Sequence, residues 1–203
     1  MTQITVNGIN INYHEAGAGG QFILIHGLSD SSALWTPLIP KLSTHYRTIA
    51  LVLRGHGESD KPDMPYPIQL LSEDLLALLR KLKIPNAHVL GLSLGAAVAQ
   101  QLALDHSERV CSLILLSPFS YGDSDLRENL EMLRERVLKG GVPAFFDAAI
   151  KLAVTPNFPH GQSRCYSRNA LNHDQWNSTK PLHGQKTSSI ETESAVRKYG
   201  RRR

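Results

Sequence analysis

Short, unbroken apolar runs alternate with amphipathic stretches along most of this chain, and that alternation restricts the fold more than any other feature. Phe22–Ile25, Thr48–Leu53, Ala87–Leu90 and Cys111–Leu116 are each too short for a helix and almost free of polar positions. Strands buried on both faces read this way. Between them lie stretches with helical spacing. Ser32–Leu42 carries Trp35, Leu38, Ile39 and Leu42 at helical intervals. A second helix is predicted to start at Ser72-Glu73-Asp74, an N-cap followed by acids in the first turn, to bury Leu75, Leu76, Leu78, Leu79 and Leu82, and to stop before Pro85. Leu94–Asp105 reads as a third. Strands alternating with helices predict an α/β fold, a mostly parallel, doubly wound sheet covered on both faces. Asn7-Gly8, between Ile4–Val6 and Ile9–Tyr13, predicts an antiparallel hairpin ahead of it.

The pattern changes after Leu116. Asp125–Lys139 reads as a charged amphipathic helix, Gly140-Gly141 as a break, and Pro143–Val154 as a further helix. From about Asn157 no periodicity remains, and residues 172–203 hold six apolar residues in 32. Such a composition buries too little to offset ordering entropy and predicts an irregular or disordered tail. The expected division is a core over 1–122, a partial helical cap over 123–156 and a basic tail over 157–203. The net charge of +4 arises wholly in residues 172–203, with seven Lys/Arg against three Asp/Glu. A basic end without a recognition motif reads as solvated chain rather than a nucleic-acid surface. No stretch approaches the roughly 18 apolar residues of a membrane span. Cys111 and Cys165 make neither a metal-ligand spacing nor a disulfide framework, and Cys111 is expected to be a small buried apolar residue. A cytoplasmic protein without metal or other cofactor is the expectation.

Three strand-end motifs carry chemistry. Gly91-Leu92-Ser93-Leu94-Gly95 joins a strand to a helix, and its glycines remove Cβ atoms where a tight turn needs room. The hydroxyl of Ser93 then stands clear of the sheet above a helix N-terminus. Upstream, Ile25-His26-Gly27-Leu28 closes another strand. A tetrahedral acyl intermediate needs two N–H donors for its oxyanion, and the amides of Leu94 and Leu28 are placed to supply them. His26 is expected to shape this loop by hydrogen bonding rather than to act as a base. Between the two lies Arg54-Gly55-His56-Gly57-Glu58-Ser59, a glycine-rich turn that matches no phosphate cradle.

In this order and spacing the three motifs resemble the α/β-hydrolase superfamily, in its serine esterase, lactonase and C–C hydrolase branch. The resemblance covers about Ile4 to Phe119 and, loosely, the helices to Val154. It implies Ser93 as nucleophile, the Leu28 and Leu94 amides as oxyanion hole, Gly27, Gly91 and Gly95 as the loop and elbow glycines, and a small ester-like substrate. A serine elbow departs from relatives with aspartate or cysteine nucleophiles. Where relatives often carry Asp two residues before the Arg of the turn, this chain has Val52.

The resemblance also implies the chain order serine, acid, histidine. Asp123 lies where some members place the acid, although its turn-like setting, Tyr121-Gly122-Asp123-Ser124-Asp125, favours a plain loop residue. His183 is the candidate base, with His160 and His173 as alternatives, and none has a strand-like run to hold it. No such run follows Val154. The sequence therefore predicts a sheet incomplete at its C-terminal edge, as in a truncated or frame-altered product. Two outcomes follow: an active hydrolase, or a catalytically impaired hydrolase-fold protein with a binding role or no enzymatic role. An uncovered sheet edge would favour self-association.

Overall fold

A computed structural model of the chain describes residues 1–119 and 124–153, and Asp123, His160, Cys165, His173 and His183 lie outside the described residues. The described residues group into two compact units, one up to Phe119 and the other over the helical segment from Ser124.

The first unit is built on a six-stranded sheet. Its strands are β1 (Thr2–Val6), β2 (Ile9–Ala16), β3 (Gly20–Ile25), β4 (Tyr46–Leu51), β5 (Ala87–Leu92) and β6 (Val110–Leu116), in the spatial order β1-β2-β4-β3-β5-β6. The hairpin forms where Asn7-Gly8 places it, with φ of 47° and 76° at the two turn residues. β1 pairs antiparallel with β2, and β2 antiparallel with β4, while β3/β4, β3/β5 and β5/β6 are parallel.

Alternation along the strands divides the core in two. Ile23, Ile25, Ile49, Leu51, Ala87 and Val89 face one layer, packed with α2 (Ile68–Lys81) and α3 (Leu94–Asp105). Phe22, Leu24, Ala50 and Leu90 face the other, packed with Trp35 and Ile39. β3 continues to β4 on one side, and the chain later returns to β5 on the other. The crevice beyond the carboxyl ends of β3 and β5 is therefore the topological switch point where α/β sheets bind ligands.

Four expectations change. The predicted helix over 32–42 is a single 3₁₀ turn, Ser32–Trp35, then a one-turn α1, Ile39–Leu42. Pro37 and Pro40 lack the amide hydrogens that a continuous helix would use. α2 begins at Ile68 after Pro67, so Ser72 and Asp74 are buried mid-helix residues and not a cap. Its last turn closes at Leu82, ahead of Lys83 at φ 56° and before Pro85 is reached. β6 is not buried on both faces: Ile114 and Leu116 are 40% and 41% exposed. Cys111, expected inside, is an exposed free thiol hydrogen-bonded to Asn86 Oδ1 at 3.1 Å. Both β6 findings have one cause, since among the described residues β6 pairs only with β5 and forms the sheet edge.

The second unit contains α4 (Ser124–Ala153), interrupted at Gly141 with φ 67° and ψ −165° and followed by Pro143. The glycine pair thus breaks the helix where the sequence places the break.

Burial of Asp74 has a partner. Arg54, at the end of β4, donates from Nε to Oδ2 at 2.7 Å and from Nη2 to Oδ1 at 2.8 Å, with side chains 4% and 2% exposed. Asn7 Nδ2 donates to Oδ1 at 2.9 Å, joining the hairpin to the pair. A forked guanidinium on a carboxylate is the geometry in which such a pair is strongest. We predict that Asp74→Ala costs about 3–5 kcal/mol in urea unfolding, because it strands a buried cation, and that Arg54→Met with Asp74→Leu recovers most of the loss.

Candidate active site

Ser93 occupies the single residue between β5 and α3, with φ 51° and ψ −112°. An L-residue there stores about 1–3 kcal/mol and persists only where its surroundings over-determine it. They do. The Ser93 N–H donates to the Leu116 carbonyl at 2.9 Å, and the Ser93 carbonyl accepts from Ala96 and Ala97 N–H at 2.9 and 3.1 Å. The first bond ties the turn to β6, and the others start α3 on the turn itself.

The flanking glycines provide space. A Cβ on Gly95 would stand 2.6 Å from the His26 carbonyl oxygen and closer still to that of Ile25. A Cβ on Gly91 would stand 2.6 Å from the Ala96 nitrogen and closer still to the Gly95 carbonyl. The first turn of α3 therefore rests directly on the end of β3, as the motif reading expects. Ser93 is at the cap position of α3, yet its side chain makes no cap hydrogen bond. The Oγ is left free of the helix, and the Leu94 N–H, first in the helix, has no intrahelical acceptor.

The loop after β3 lies against this turn. A Cβ built on Gly27 would be 3.6 Å from Ser93 Cβ and 3.4 Å from the Leu92 carbonyl oxygen. Leu28 follows, 38% exposed, and Ser29 turns the chain with φ 62°. Parallel pairing of β3 with β5, Ile25 opposite Gly91, sets the register of the two loops.

His26 is fully buried, and both ring nitrogens are engaged. The Leu53 N–H donates to Nε2 at 3.0 Å, so the proton resides on Nδ1, which donates to the Gly27 carbonyl at 2.7 Å. Burial, with the nearby His56 as a smaller influence, pushes its pKa down to about 3. A base needs a lone pair facing the nucleophile, and the Leu53 amide holds this one. The His56 ring packs edge-on at 5.1 Å, and its Nδ1 is 2.9 Å from the Arg54 carbonyl. Burial lowers the pKa of His56 as well. The Arg54–Ser59 turn is structural throughout. Ser59 Oγ donates to the Val52 carbonyl at 2.7 Å and accepts the Asn12 N–H at 2.9 Å. Val52, two residues before Arg54, is fully buried.

The structure thus brings Gly27, Leu28, Gly91, Ser93, Leu94 and Gly95 together. Asp123 and His183 lie outside the described residues. Among the described residues no side chain is hydrogen-bonded to Ser93 Oγ, and no group of three or more His, Cys, Asp or Glu could hold a metal ion. His88 lies in β5, four residues before its end at Leu92 and so about 13 Å from that end at 3.3 Å per residue. A surface cavity of about 420 Å³ beside α2, lined by Asn7, Arg54, Met64, Glu73 and Arg80, does not border Ser93. Sequence reasoning missed the role of Asp74. Its position three after Leu71 and four before Leu78, on the buried stripe of α2, was the available signal.

Two predictions follow from this geometry. Gly95→Ala lowers stability by about 1–3 kcal/mol in thermal unfolding, because its neighbours are backbone atoms of a central strand. Gly20→Ala, where the added Cβ meets only the Tyr46 ring at 3.5 Å, is the control; it stays within about 0.5 kcal/mol. The second concerns acid. The unfolded chain protonates His26 near pH 6.5, whereas the folded chain resists until about pH 3. The unfolded state binds more protons across that window, so stability rises with pH there and is lost on acidification at about 1.4 kcal/mol per unit, or about 2 kcal/mol on going from pH 7 down to pH 5. His56 adds to the loss with the same sign, and urea midpoints at the two pH values measure it.

Comparison with known proteins agrees with this geometry. The family model described as alpha/beta hydrolase fold matches residues 21–196. The chain is 32% identical over 129 residues to the 2-(acetamidomethylene)succinate hydrolase of Mesorhizobium japonicum, spanning 64% of this chain and 46% of that protein. It is 34% identical over 110 residues to the pimeloyl-[acyl-carrier protein] methyl ester esterase of Aeromonas hydrophila, spanning 54% and 42%. The chain therefore spans less than half the length of these curated relatives. Among solved structures it is similar to the enol-lactonase of Burkholderia xenovorans LB400, with a TM-score of 0.75, 26% identity, and 90% and 70% of the two chains covered. The strand-end crevice, the serine turn and these likenesses agree, and the chain belongs to the alpha/beta hydrolase fold family.

Proposed function

We propose that this chain is a serine hydrolase of small carboxylic esters, lactones or similar acyl compounds, acting through an acyl-enzyme on Ser93. The observation that carries the reading is the strained backbone of Ser93, held at φ 51° by Leu116, Ala96 and Ala97 with its side chain uncapped and Gly27 alongside. Strain of this kind at a strand–helix turn presents a hydroxyl to a substrate. The likeness to a methyl ester esterase and to an enol-lactonase supports acyl chemistry.

In the proposed reaction a histidine takes the Ser93 proton as Oγ attacks the substrate carbonyl carbon. The carbonyl oxygen becomes an anion between the Leu28 and Leu94 N–H groups. The bond to the leaving oxygen then breaks, and that oxygen takes the proton from the histidine. Water, deprotonated by the same histidine, attacks the acyl carbon; the bond to Ser93 Oγ breaks, the carboxylic acid leaves, and the histidine returns its proton to Oγ. We assign base and acid to segments outside the described residues, where His183 and Asp123 are the candidates. No step requires a cofactor. The partner is a small molecule, and no helix among the described residues is long and apolar enough to cross a membrane. A cytoplasmic setting accords with Cys111 as a free thiol.

A fluorophosphonate probe tests the reading, because it reacts with serines activated by a base. Labelling of the full chain that disappears in Ser93→Ala is the expected outcome. A folded chain that never labels contradicts the hydrolase reading and favours a binding role.

A further inference from the structure

We infer that His26 is a positioning residue that fixes the direction of the Leu28 N–H by holding the Gly27–Leu28 peptide plane. The inference rests on the reading of Ser93 as nucleophile, and it assigns His26 a task beyond shaping a loop.

The argument starts from protons. A backbone N–H can only donate, so the Leu53 bond makes Nε2 an acceptor and places the ring proton on Nδ1. The Nδ1–H then has a single acceptor, the Gly27 carbonyl at 2.7 Å. The ring has no exposed surface, so water does not compete for either bond. Its position is inherited from the end of β4, through Leu53 on one edge and through the His56 ring, itself beside the Arg54 carbonyl. His26 thus measures the Gly27 carbonyl against the most buried part of the sheet.

The rest is peptide geometry. The chain contains no cis peptide bond among the described residues, so the Gly27 C=O and the Leu28 N–H point in opposite directions. With the carbonyl drawn inward to His26, the N–H faces outward. The outward side is where Leu28 is exposed and where the partly exposed Ser93 stands, its Cβ 3.6 Å from the Cβ position of Gly27. Without the imidazole the plane has a second orientation, reached by opposite rotations about ψ of Gly27 and φ of Leu28, and glycine places little steric barrier in the way. In that orientation a carbonyl oxygen, not a donor, meets the substrate oxyanion. His26 selects between the two. Its depressed pKa keeps the ring neutral, and the arrangement intact, at ordinary pH.

The test compares the full chain with His26→Leu, which fills the volume without hydrogen bonds, and with His26→Asn, whose amide N–H reaches the Gly27 carbonyl but leaves Leu53 unpaired. Two readouts are taken on folded protein: the kinetics of Ser93 labelling by a fluorophosphonate, and the amide ¹H–¹⁵N shift of Leu28. We expect His26→Leu to lower the maximal labelling rate by about 10²–10³-fold, the usual effect of losing an oxyanion donor, with the apparent probe affinity within twofold. His26→Asn restores the rate to within about tenfold of the parent. The Leu28 amide shift moves in the first variant and returns in the second. A His26→Leu protein that labels at the parent rate with an unmoved Leu28 amide overturns the inference. Should both variants fail to fold, imidazole ¹⁵N shifts of the parent decide, and a proton on Nε2 of His26 overturns it. A parent chain that never labels defeats the hydrolase reading alone, and the Leu28 amide response still judges His26.

Discussion

The close approach of α3 to the end of β3 is the contact on which the rest of this structure depends. Gly95 packs against the Ile25 and His26 carbonyls, and Gly91 packs against Gly95. Any side chain at either position would push the helix off the sheet. With the helix seated there, the residue joining β5 to α3 has little choice of conformation, and Ser93 takes a backbone geometry that few L-residues adopt. The same seating brings the Gly27 loop beside it. Strain at the serine, proximity of the Gly27 loop and orientation of the helix N-terminus are three results of one packing event. The cost of the strain, about 1–3 kcal/mol, is met by the surrounding hydrogen bonds and the buried strands.

Behind this contact lies a second layer of support. The Arg54–Asp74 pair ties the end of β4 to α2, and Asn7 adds the hairpin. Leu53, one residue before Arg54, donates to His26, and His26 donates to Gly27. Two sets of hydrogen bonds, joined by the backbone between Leu53 and Arg54, thus connect the helix layer to the Gly27 loop. Arg54, Asp74, Leu53 and His26 are buried, where a satisfied polar network is rigid and a half-satisfied one is costly. In the glycine-rich turn after β4 the side chains of Arg54, His56 and Ser59 are engaged with neighbouring protein groups.

Much of this was legible in the sequence, for identifiable reasons. The hairpin at Asn7-Gly8, the apolar strands and the break at Gly140-Gly141 are local signals, and the structure keeps them. The serine turn and the Gly27 loop were legible as tight turns because close backbone approaches require glycine, which leaves a readable pattern. What failed was set by non-local partners. Asp74 resembled a first-turn acid because nothing near it announces an arginine twenty residues upstream. Trp35 to Leu42 has helical spacing, but two prolines withhold the amides. Cys111 and Ile114 sit in an apolar run typical of a central strand, yet burial depends on what lies beside a strand, and β6 forms the edge among the described residues. The candidate acid and base, Asp123 and His183, lack a strand pattern to fix them, and they lie outside the described residues.

The central claim is that the geometry at Ser93 makes its hydroxyl the atom that takes an acyl group. Rapid acid quenching of the full chain mixed with p-nitrophenyl acetate, followed by peptide mass spectrometry, tests it most directly. The account predicts an acetyl adduct on the peptide containing Ser93, formed within the first turnover. Acetylation confined to lysines or to Cys111, with the Ser93 peptide unmodified, would contradict it.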